Sequence, residues 1–154
     1  MSRIRHAVFL MRWALLPVQT HILAEAARKG LRDNDKPRKS GFCEMFARLC
    51  REDAYGPRFN FAWLGSARKA GLALKKAGFS IPLSSKVQAG DLAYNVDDEG
   101  DFGHVRIAVK TRLSGILWAE NSTTHADDAD ARGLRTTAEC RKPDLLIRLP
   151  NKRY

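Results

Sequence analysis

The chain has 154 residues, 44% hydrophobic and 29% charged, with 27 Lys and Arg against 17 Asp and Glu for a net charge of +10. That length favours one domain with a real core, and no apolar run approaches the roughly 18 residues of a membrane span. The charge points to an anionic partner: nucleic acid, an acidic membrane face or a charged cell-wall polymer.

The run Ala7 to Leu16 follows Arg3, Arg5 and His6 and superficially resembles a signal peptide. Arg12 interrupts it, and no small-x-small cleavage site follows Leu16. Residues 14–32 read as a helix entered at Pro17, with Leu15, Leu16, Ile22, Leu23 and Ala26 on its apolar face and Gly30 near its end. Arg32 to Lys39 is a charged loop containing Pro37. Ser40 or Gly41 caps a second helix over 42–52. Its apolar face is Phe42, Met45, Phe46, Leu49 and Cys50, while Arg48, Arg51 and Glu52 reach solvent. Tyr55-Gly56-Pro57 is a turn. A third helix is expected from Phe59 to Ala77, stopped by Gly78. Phe61, Leu64, Ala67, Ala70, Leu72 and Leu74 are its core candidates, and Gly65 and Gly71 argue against one unbroken helix.

Strands follow. Leu92-Ala93-Tyr94 comes after Gly90-Asp91. Asn95 to Phe102 is an acidic turn, and its Asp97-Asp98-Glu99-Gly100-Asp101 cluster lacks the alternating ligands of a calcium loop. Val105 to Lys110 and Ile116 to Asn121 form a hairpin about Ser114-Gly115. Residues 122–135 read as polar loop, and Leu145 to Leu149 is a last strand closed by Pro150. Helices first and strands second indicate α+β with a mostly antiparallel sheet.

Three cysteines without CxxC spacing argue against a disulfide framework and a structural zinc site, and fit a reducing compartment or a free reactive thiol. Cys43 stands at the mouth of the second helix, and about sixty residues later His104 opens a strand. A thiol is a useful nucleophile only as thiolate, and a helix N-terminus and a nearby imidazolium both favour that form. The hairpin partner strand brings Glu120 or Asn121 near the imidazole to hold its tautomer. Strand alternation allows only one of the two to point there. Cys50 reads as core and Cys140 as structural. His6, His21 and His125 look incidental, Asp91 a maker of turn hydrogen bonds, and Trp63 and Trp118 core or groove wall.

These segments together resemble NlpC-type and CHAP-type cysteine peptidases, small papain-like amidases of which many act on peptidoglycan and many are carried by bacteriophages. The resemblance covers roughly residues 40–149. Cys43-Glu44-Met45-Phe46-Ala47-Arg48 is similar to the family's Cys-x-x-Phe-x-Arg helix, and Tyr55-Gly56 and Trp63 to the segment after it. Gly90-Asp91-Leu92 resembles the strand before the catalytic histidine, and Gly103-His104-Val105 the histidine motif. Aligning Ser122 of Ala119-Glu120-Asn121-Ser122 with the family's serine sets Glu120 at the orienting position, with Asn121 the alternative. Phe42, Glu44-Met45 and Arg106 depart from the family's usual residues, and Glu44 works against a thiolate unless its side chain turns away.

The resemblance implies a papain-like fold with N-terminal helices packed on the sheet. It divides the chain into a helical segment over 1–39 and a catalytic domain over 40–154 within one compact unit. It implies hydrolysis of peptidoglycan amide bonds by Cys43, His104 and Glu120 or Asn121, with no cofactor and no metal. Peptidoglycan or its stem peptide is the implied substrate and anionic cell-wall polymers the implied partners, with synthesis in the cytoplasm and action at the bacterial wall. The other reading is a non-catalytic basic binding module on the same scaffold, possibly for nucleic acid. Arg28, Lys29, Arg38, Lys39, Arg48, Arg51, Lys75, Lys76, Arg141 and Lys142 would carry it, though they form no nucleic-acid motif.

Overall fold

Period-two apolar alternation in the C-terminal half builds the sheet, and helical stripes in the N-terminal half cover one of its faces. The computed structural model describes residues 21–32, 43–59, 65–97, 102–112, 115–121 and 132–154. Among them are three α-helices: α1 (Ile22–Arg32), α2 (Cys43–Tyr55) and α3 (Ala67–Lys76). The strands are β1 (Ser80–Ile81), β2 (Leu92–Asn95), β3 (His104–Arg112), β4 (Gly115–Asn121), β5 (Arg132–Thr136) and β6 (Leu145–Ile147). They form one six-stranded sheet in the order β1-β6-β2-β3-β4-β5, and every pairing is antiparallel. The class is α+β.

The helix side holds the main core. Leu23, Phe46, Cys50 and Leu74 pack there against Leu92, Tyr94, Val105, Ile107, Ala119 and Ile147. The other face carries a smaller cluster of Ala93, Ala108, Trp118 and Leu146. β2 and β6 are buried on both faces, so the late strand β6 lies inside the sheet rather than closing its edge.

Several boundaries differ from the sequence reading, each for a local reason. α1 is described only from Ile22, and the expected helical residues 14–20 lie outside the described residues. His21 caps it: Nδ1 accepts from the Leu23 N–H at 3.1 Å while Nε2 meets the Leu149 carbonyl at 3.1 Å. That histidine is structural, not incidental. α2 continues past residue 52 to Tyr55 and tightens into a 3-10 turn, Gly56–Phe59. Phe59 belongs to that turn and packs edge-on between Tyr55 and Phe79. α3 therefore starts at Ala67, where the Ser66 hydroxyl accepts from the Lys69 N–H at 3.2 Å. Phe61, Trp63 and Leu64 lie outside the described residues. Leu72, expected in the core, is 44% exposed. Residues 132–136 are not loop but the edge strand β5. Its sequence, Arg132-Gly133-Leu134-Arg135-Thr136, lacks apolar alternation because backbone pairing with β4 holds it, not side-chain burial.

Gly71 does not interrupt α3. It is there because Tyr94 packs onto the helix: a Cβ at this position would sit 2.8 Å from Tyr94 Cδ1. Gly71→Ala should therefore destabilise the fold by about 1–3 kcal/mol through overpacking, against the gain of up to ~1 kcal/mol that Ala brings to an open helix site. Urea unfolding measures it, and a rise in stability would mean that the ring yields freely. No helix of the described residues is long and apolar enough to cross a membrane.

Candidate active site

Cys43 is the first residue of α2, so its side chain stands where unpaired backbone N–H groups and the helix dipole favour negative charge. It is 5% exposed. His104 is the first residue of β3, opposite Asn95 of β2. The chain enters β3 through Gly103, at φ 66°. A Cβ there would lie 2.5 Å from the Asn95 carbonyl oxygen, so only glycine allows the β2–β3 turn to close this tightly. The strand start thus places the imidazole at the end of the sheet, where it meets α2.

His104 is held through Nε2. Nε2 lies 2.6 Å from Glu120 Oε2 on β4. Ile107 pairs with Ala119, and that register sets Glu120 beside Arg106 and diagonal to His104. Nδ1 is buried and makes no well-directed hydrogen bond. The Cys43 side chain stands near enough to favour the protonated form of the same imidazole, and with Nε2 taken by Glu120, Nδ1 is the nitrogen left to face it. Burial works against the imidazolium. Cys43 and then Glu120, both favouring the charged ring, outweigh burial and push the His104 pKa up to about 9. The ring is therefore protonated at neutral pH and loses its proton as pH rises through about 9.

Register settles which of the two polar residues on β4 reaches the ring. Glu120 does, with Oε1 3.6 Å from Arg135 Nε of β5 on its other side. Asn121 faces the opposite side of the strand by alternation and is fully buried.

Glu44 and Arg106 are both engaged by contacts, and Phe42 lies outside the described residues. Glu44 is buried and pairs with Arg51 at 2.5 Å, so the residue next to Cys43 does not present a free charge. Arg51, expected at solvent, is wholly buried. It also donates from Nε to the Phe59 carbonyl at 3.1 Å and from Nη1 to Tyr94 Oη at 3.2 Å. Burial still pushes the Glu44 carboxyl up, with Arg51 offsetting only part of it, and Oε2 has no hydrogen-bond partner. The seven-residue separation of Glu44 and Arg51, two helical turns on one stripe, was the signal available in the sequence. Arg106 lies on the His104 face of β3 and is buried. It donates to the Arg141 carbonyl and to Asn95 Oδ1 at 3.5 Å and stands over the Trp118 ring at 5.4 Å.

Of the remaining candidates, Cys140 lies within electrostatic reach of Arg106 and Glu120, and the others make separate contacts. Cys50 is fully buried in the helix-side core. Cys140 is half-buried, and burial pushes its thiol up. Asp91 accepts from the Gln88 N–H and binds Arg148 through both oxygens, all at 2.8 Å. Among the described residues no group of three or more His, Cys, Asp and Glu could hold a metal ion. His6, His125 and residues 98–101 of the acidic cluster lie outside the described residues. Comparison with family models, with curated proteins and with solved structures returns no match.

Proposed function

We propose that the protein is a papain-like cysteine hydrolase that cleaves amide bonds of bacterial peptidoglycan through Cys43, His104 and Glu120. One observation carries the reading: Glu120 Oε2 lies 2.6 Å from His104 Nε2, which leaves the Nδ1 side of the ring to a thiol at a helix N-terminus. That division of the ring suits a thiolate–imidazolium pair oriented by a carboxylate.

The Cys43 sulfur, as thiolate, attacks the amide carbonyl carbon and forms a C–S bond. The carbonyl oxygen takes the negative charge, which backbone N–H groups at the start of α2 can stabilise. As the tetrahedral species collapses, the C–N bond breaks and the His104 imidazolium gives its proton to the departing amine. The now neutral imidazole takes a proton from water. The resulting hydroxide attacks the thioester carbon, and the C–S bond breaks to return the thiolate beside the imidazolium. Throughout, Glu120 accepts from Nε2–H and keeps Nδ1 directed to sulfur. The substrate class rests on the family resemblance and on the +10 charge, which concentrates the protein on anionic wall polymers and does so less at high salt.

Purified protein incubated with peptidoglycan sacculi should release new free amines. Cys43→Ala should lower the rate by about 10³-fold or more, whereas Cys140→Ser should stay within about twofold. Undiminished amine release by Cys43→Ala rules the mechanism out.

A further inference from the structure

Far from Cys43, a groove of about 860 Å³ opens between the start of α1, the 86–89 loop and the far half of β3. It begins some five residues along β3 from His104, roughly 17 Å at strand spacing. Arg28, Lys86 and Lys110 line it together with Gln88 and Thr111, and no carboxylate is among the described lining residues. A β-bulge between Ala108 and Lys110 interrupts the pairing of β3 with β4, and such a bulge re-aims the side chains that follow it. Arg28 donates to the Val109 carbonyl at the bulge, a contact that orients the guanidinium without neutralising it. Asp91, whose field reaches the groove wall at His21, is held by Arg148 through both carboxylate oxygens. Among the described residues these three cations thus face one concavity with no acid paired to them.

We infer that this groove binds a phosphodiester-linked polyol chain. A row of cations spaced along a groove suits a repeating anion. Among the described lining residues the one aromatic ring is His21, and Gly90 packs so closely on it that a Cβ there would lie 2.1 Å from Nδ1, so bases would find little room to stack on it. A polyol phosphate needs none. The inference does not depend on hydrolysis, and it is tested on Cys43→Ala protein so that it stands or falls separately from the catalytic reading.

The probe is a fluorescein-labelled oligomer of glycerol phosphate, compared with single-stranded oligothymidylate of the same phosphate count. Three neutralised phosphates give a slope of log K on log salt of about −2. Lys86→Gln with Lys110→Gln should reduce that slope to about −0.7 and weaken binding about tenfold at low salt. Lys75→Gln with Lys76→Gln, which removes the same charge from exposed positions on α3, should change affinity by less than about twofold. Equal losses in the two double variants would mean diffuse surface charge and overturn the site. An unchanged slope in the groove variant would overturn it too. Tighter binding of oligothymidylate with the same lysine dependence would overturn the polyol assignment.

Discussion

Glu120→Gln should lower kcat/KM by about 10²- to 10⁴-fold and move the alkaline limb of the pH–rate profile downward. The carboxylate does two things for His104. Its hydrogen bond to Nε2, at 2.6 Å, fixes the tautomer and ring position, and loss of the equivalent orienting acid in hydrolytic triads costs about 10⁴. Its charge also helps to hold the imidazolium, whose pKa lies at about 9 after burial has been overcome by Cys43 and Glu120. Because the proposed general acid is the protonated ring, activity falls as pH rises through that value in the parent protein. With a neutral amide at 120 the ring deprotonates at lower pH, so the fall begins earlier. Rates from pH 6 to 10, with an NMR titration of His104, measure both effects. Asn121→Ser should leave the limb where it was. If Asn121→Ser moves the limb and Glu120→Gln does not, the orienting role belongs to Asn121.

Arg51→Met should destabilise the fold by about 3–5 kcal/mol at neutral pH, the cost of leaving one member of a buried ion pair alone. Glu44 is buried, and its carboxyl is already pushed up by that burial. Removing Arg51 takes away the charge that offsets it, together with donors to the Phe59 carbonyl and Tyr94. The deficit should shrink as pH falls, because a protonated Glu44 carries no buried charge and so loses nothing when the guanidinium is absent. Replacing both, Glu44→Leu with Arg51→Met, should cost less than Arg51→Met alone, since two apolar side chains need no partner. Urea unfolding of the parent, Arg51→Met, Glu44→Leu and the double variant closes the cycle. A single-variant cost below about 1 kcal/mol would mean that water reaches the pair.

Much of the candidate site could be read before any coordinates. Cys43 at a helix start and His104 at a strand start followed from local signals: apolar periodicity, a glycine at the turn, and the change from helical to strand patterning. What eluded local reading were several features set by distant partners. His21 looked incidental because the carbonyl it meets belongs to Leu149. Arg51 looked solvated because its charge is matched two turns away and across the sheet. β5 looked like loop because an edge strand paired through its backbone needs no apolar stripe. Gly71 looked like a helix breaker because Tyr94 lies 23 positions further along the chain.

By itself the sequence determined the class, helices before an antiparallel sheet, and named a thiol and an imidazole as the pair to watch. Local patterning decides such things, since periodicity and turn residues act within a few positions. Only the tertiary structure decided that Glu120, not Asn121, holds His104, and that Glu44 is matched by Arg51. The physical reason is parity and register: a shift of one residue turns every side chain of a strand to the other face. That register is set by pairing between strands and by the helices packed on them, not by the residues of any one strand.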